Sequence, residues 1–74
     1  MPIQSKYSTA QIENVVNLLL ETLRQQQANT ELSLMCLGNT ISHIIHTQVP
    51  KDRQQEVAKS FAQVLVDSVA GKSH

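Results

Sequence analysis

Ten residues in the middle of the chain, Thr30-Glu31-Leu32-Ser33-Leu34-Met35-Cys36-Leu37-Gly38-Asn39, constrain its fold more than any other stretch. They open as a helix opens, with a hydroxyl and then a carboxylate at the positive end of the helix dipole. They go on to place apolar side chains around most of the circumference. At about 100° per residue, Leu34, Leu37, Ile41, Ile44 and Ile45 form one stripe, and Leu32, Met35 and Cys36 take the opposite side. A helix that is apolar on several sides has to be covered on several sides. A chain of 74 residues has little else to cover it with. The run therefore points to a second copy, and it assembles no reaction chemistry.

Two further helices are predicted around it. Ser8 and Gln11 have the spacing of a capping box, and Tyr7 and Ile12 that of a hydrophobic staple, so a helix is expected to start at residue 8. Its stripe is Ile12, Val15, Val16, Leu19, Leu20 and Leu23, with Leu18 well off it. It is expected to fray through Gln25-Gln26-Gln27 and to end near Ala28-Asn29. Thr30 or Asn29 caps the central helix, and Val49-Pro50 ends it, because proline disfavours helical geometry in the residue before it. Pro50 and Asp52 suit the first turn of a third helix. Its stripe is Val57, Ala58, Phe61, Ala62, Leu65 and Val69, with Val66 outside it, and Gly71 stands where a C-cap is needed. No sustained alternation signals a strand. Residues 1–7 read as a flexible N-terminal arm, 8–70 as a single three-helix domain and 71–74 as a flexible C-terminal tail.

Charge and cysteine usage narrow the class. Six basic residues balance six acidic ones, so the basic excess usual in nucleic-acid binders is missing. No apolar run nears the roughly 20 residues that cross a bilayer. The first residues lack the apolar core of a signal peptide. Cys36 is the only cysteine and has no intramolecular disulfide partner, which favours a reducing, cytoplasmic setting. Chains below about 80 residues that lack disulfides commonly gain stability by association. A two-fold homodimer is the simplest form of it.

Each residue with reactive or ligating chemistry has a plain structural reading beside the functional one. His43 and His46 are three apart and face one side, but two histidines are an incomplete metal shell. Cys36 lies about 10 Å along the helix from His43, too far to share a tetrahedral site or to be activated by it. Among Leu34, Met35 and Leu37 it reads as a small buried hydrophobe. Glu13, Glu21, Glu31, Asp52, Glu56 and Asp67 form no paired carboxylates in an apolar setting. Two glycines leave no phosphate-cradling loop. Lys51, Arg53 and Lys59 make the start of the third helix mildly basic, offset by Asp52 and Glu56. Gly38, mid-helix, costs about 1 kcal/mol relative to alanine, and the usual compensation is close approach by another helix. Asn39 is either a buried specifier of helix register or an exposed polar residue. Leu32 and Met35 face a second subunit or another helix of the same chain. The candidate dimer interface is thus Leu32, Met35, Cys36, Gly38 and Asn39, with no catalytic, cofactor-binding or metal-binding residue expected.

The central run also closely resembles the signature of the YejL-like family, small proteins of gammaproteobacteria with no established activity. The resemblance extends to Ser5-Lys6-Tyr7-Ser8, to Arg53-Gln54 and to Phe61-Ala62 with Leu65, so it covers nearly the whole chain. It implies a subunit of three helices intertwined with a second copy in a homodimeric bundle. It implies no activity and supplies no catalytic residues. The expectation is an all-α fold, three helices per chain in an intertwined homodimeric helical bundle, acting without catalysis as an interaction module for an unidentified cytosolic protein. Weak nucleic-acid binding through the third helix of the dimer is the alternative. No cofactor, membrane or small-molecule substrate is expected.

Overall fold

The computed structural model describes residues 6–71. Among them the chain is all-helical: α1 (Thr9–Gln25), α2 (Thr30–Gln48) and α3 (Gln54–Val69), with a 3-10 turn at Lys51–Arg53 and no strand. The three-helix reading of the sequence holds. Most of the expected arm and tail, residues 1–5 and 72–74, lies outside the described residues. The chain divides into two compact units, Met1–Leu34 and Met35–His74.

In the first unit, α1 starts where the capping chemistry places it. Ser8 is extended (φ −73°, ψ 154°), and its Oγ accepts the Gln11 N–H at 3.0 Å. Its carbonyl accepts the Ile12 N–H at 3.1 Å. Tyr7 lies beside Gln11 and Ile12 on a shallow apolar surface that Val15 and Val16 continue, as a staple requires. The other end of α1 differs from expectation, because it does not fray. The Ala28 N–H donates to the Leu23 carbonyl and the Gln27 N–H to the Arg24 carbonyl, both at 3.0 Å. This is a Schellman closure, in which donors beyond the helix end satisfy its orphaned carbonyls. Gln27 takes the left-handed position, at φ 57°, that glycine normally fills. Glu21 forms an ion pair with Arg24 and accepts from Gln25 Nε2 at 3.3 Å. Asn29 then caps α2, its Oδ1 accepting the Leu32 N–H at 2.8 Å and its carbonyl the Ser33 N–H at 2.9 Å.

In the second unit, α2 closes with the Val49 N–H donating to the Ile45 carbonyl at 3.1 Å. Pro50 does not enter the first turn of α3 as expected. It is extended (φ −54°, ψ 143°) and precedes the separate 3-10 turn, which the Arg53 N–H closes on the Pro50 carbonyl at 2.9 Å. Arg53, at φ −116° and ψ −2°, is the break between that turn and α3. Ile41 and Ile45 of α2, Val49 just after it, and Val57 of α3 are half-buried. Near the turn, Ser42, Ile45 and His46 share a groove with Gln54, Gln55 and Ala58. Beyond it the stripe of α3 is uncovered. Gly71 takes φ 77° and donates its N–H to the Ser68 carbonyl at 3.3 Å, the cap expected of it.

Candidate interaction surface

No described residue is buried, and sixteen large apolar residues are exposed. On α1 these include the stripe residues Ile12, Val15, Val16, Leu19 and Leu20, and Leu18 off the stripe. On α2 Leu34 is 66% exposed and Met35 58%. On α3 Phe61, Val64, Leu65 and Val66 are exposed, and Val69 reaches 81%. In α1 and α3 the apolar spacing that should define a core defines mostly surface, and in α2 the stripe is half-buried only at Leu37, Ile41 and Ile45.

The residues singled out on α2 follow this pattern. By helix geometry Leu32, Met35, Cys36 and Asn39 fall within about 100° of arc, and all four are exposed. Cys36, expected to be buried, has an exposed thiol, because none of the described residues closes over this side of α2. Its carbonyl accepts from Thr40 Oγ1 at 2.8 Å, as the His43 carbonyl does from Thr47 Oγ1. These bonds turn two hydroxyls back onto the helix. A Cβ placed on Gly38 would meet nothing within 4 Å.

The polar groups are dispersed. His43 and His46 are both exposed, and no group of three or more His, Cys, Asp or Glu that could hold a metal ion occurs among the described residues. Arg53 and Glu56 border the same open groove, with Val57, Ser60, Phe61 and Val64 completing it. An acid thus lines the same groove as Arg53 at the start of α3. No helix among the described residues is long and apolar enough to cross a membrane. Two residues were not legible as contributors. Val64 lies off the predicted stripe of α3 yet lines its groove. Gln54 reaches back over the turn to the end of α2 (distances below); its only signal is a long amide a few residues past a helix end.

A small all-helical protein with exposed helix-packing surface is the class these features define. Residues 26–69 match the family described as "Protein of unknown function (DUF1414)". The chain is 49% identical over 69 residues to the UPF0352 protein PSHAa1818 of Pseudoalteromonas translucida, covering 93% of this chain and 99% of the relative. It is 48% identical over 69 residues to the UPF0352 protein of Shewanella denitrificans, with the same coverage. To the UPF0352 protein PBPRA2586 of Photobacterium profundum it is 38% identical over 68 residues, 92% of this chain and 97% of the relative. The chain belongs to this gammaproteobacterial family, the YejL-like family that its central run resembles.

Proposed function

We propose that the chain is the subunit of an obligate homodimer that serves in the cytoplasm as a non-catalytic helical interaction module. The observation that carries this reading is the missing core. No described residue in either unit is buried, and sixteen large apolar residues are exposed. An obligate homodimer interface, which buries about 2,000–5,000 Å² over both partners, is the kind of surface that covers such residues. A two-fold pair is favoured because it closes on itself, using the same patch of each copy, and does not propagate into fibres. The polar faces and amide-rich segments are then what the assembly presents to a protein partner. Nucleic-acid binding through α3 has less support, since Glu56 sits in the groove with Arg53 and the formal net charge is zero.

Light scattering after size exclusion, over a hundredfold dilution, tests the dimer. A constant mass of about 16 kDa, twice the 8.2 kDa of the chain, supports it, and a stable single-chain mass overturns it. Capture from native cytosol with the intact dimer as bait tests the module. Recovery of no specific protein removes that half of the reading.

A further inference from the structure

We propose that residues 1–5 fold back as a strap over the apolar face of α1, with Ile3 lying against Val16 and Met1 against Leu20. The strap lies wholly within the first unit. It leaves the faces of α2 and α3 to a second copy, so it stands apart from the homodimer reading. Its path is set by the residues just before the helix. The chain bends at Lys6 and Tyr7, directly ahead of the Ser8 cap. Tyr7 shares a shallow surface with Gln11, Ile12, Val15 and Val16, and the Lys6 ammonium stands 5.9 Å from the centre of its ring. The chain thus enters α1 across its apolar side, and helix geometry puts Asn14, Asn17 and Glu21 on the other.

The face continues through Ile12, Val16, Leu19 and Leu20, which are between 44% and 55% exposed. At about 1.5 Å per residue, Val16 stands about 10 Å and Leu20 about 16 Å along the axis from Thr9. An extended chain advances about 3.3 Å per residue, so from Tyr7 it carries Ile3 about 13 Å and Met1 about 20 Å. Both apolar residues therefore reach the face. They are two apart, and in an extended segment such residues share one side. Pro2 between them has no N–H to leave unpaired against apolar groups. A tether this short sets an effective concentration on the order of millimolar, well above that of a separate chain at micromolar concentration. Proximity is what makes the occupant this segment and not a second copy.

Nuclear Overhauser contacts in the wild-type chain test the strap. Mixing isotope-labelled with unlabelled protein separates contacts within a chain from contacts between chains. The expected result is contact between the methyl groups of Ile3 and Val16 of the same chain. Absence of that contact overturns the strap, and so does its appearance only between chains, which makes a second copy the occupant. Cysteine pairs in a Cys36→Ser background give a second reading. Under a mild added oxidant, Ile3→Cys with Val16→Cys should close an intramolecular disulfide about tenfold or more faster than Ile3→Cys with Asn14→Cys, on the opposite side of α1. Equal rates, or links between chains, overturn the strap. Both measurements read it in a single chain or a dimer alike, so its failure is distinct from failure of the homodimer.

Discussion

Gln54 and Val49 close the turn between α2 and α3 by a side-chain hydrogen bond: Gln54 Nε2 donates to the Val49 carbonyl at 3.0 Å and also to the His46 carbonyl at 3.2 Å. The last carbonyls of a helix have no partner within it. Here the first residue of α3 satisfies two of them at the end of α2 and holds Pro50 and the 3-10 turn between. Gln54→Ala should lower stability by about 1 kcal/mol, the usual net value of such a bond. Gln54→Glu should lower it further, because it removes both donors and sets a carboxylate against the negative end of the helix dipole. Urea unfolding midpoints of the two variants check the order.

Gln27 holds a left-handed backbone at φ 57° in the closure of α1. For a residue with a Cβ this conformation costs about 1–2 kcal/mol, and the greater freedom of unfolded glycine offsets part of the relief. Gln27→Gly is expected to stabilise by about 0.5–1 kcal/mol, seen as a higher urea midpoint. A lower midpoint would mean that the Gln27 side chain makes a contribution larger than its backbone strain.

Asn29 joins that closure to α2 through its Oδ1 at 2.8 Å from the Leu32 nitrogen. Replacing an N-cap asparagine by alanine costs about 1 kcal/mol, and aspartate caps equally well. Asn29→Ala should therefore lose about that much and Asn29→Asp almost nothing. Thr30→Ala, one residue into the helix, should be close to neutral in the same assay.

If stability comes from association, it depends on protein concentration. Each tenfold dilution of an obligate dimer lowers its apparent unfolding free energy by about 1.4 kcal/mol. Urea midpoints measured from micromolar to hundred-micromolar chain should rise steadily. Superimposable curves would show that the single chain folds by itself.

Helix number, the apolar stripes and the capping role of Gly71 were legible because they depend on residues three and four apart. The candidate surface was legible in the same way: an apolar residue at helical spacing is recognised whether or not anything covers it. For that reason the sequence could mark Met35 as a packing residue but could not tell cover by the same chain from exposure. Cys36 shows the limit most plainly. Its apolar neighbours predicted burial, yet neighbours along a helix do not cover a side chain that points away from the axis.

By itself the sequence determined that the chain is all-helical, roughly where each helix begins and ends, and that it carries far more apolar helix surface than reactive chemistry. These follow from local propensity, spacing and composition. Only the tertiary structure decided that α1 closes on a left-handed Gln27, that a separate 3-10 turn precedes α3, that Gln54 reaches back to Val49, and that the stripes of α1 and α3 stay largely exposed while that of α2 is half-buried. The first three turn on backbone angles and on bonds that cross a chain reversal, for which glutamine carries no distinctive signal. The last is a matter of what lies opposite each face, which only the arrangement in space can supply.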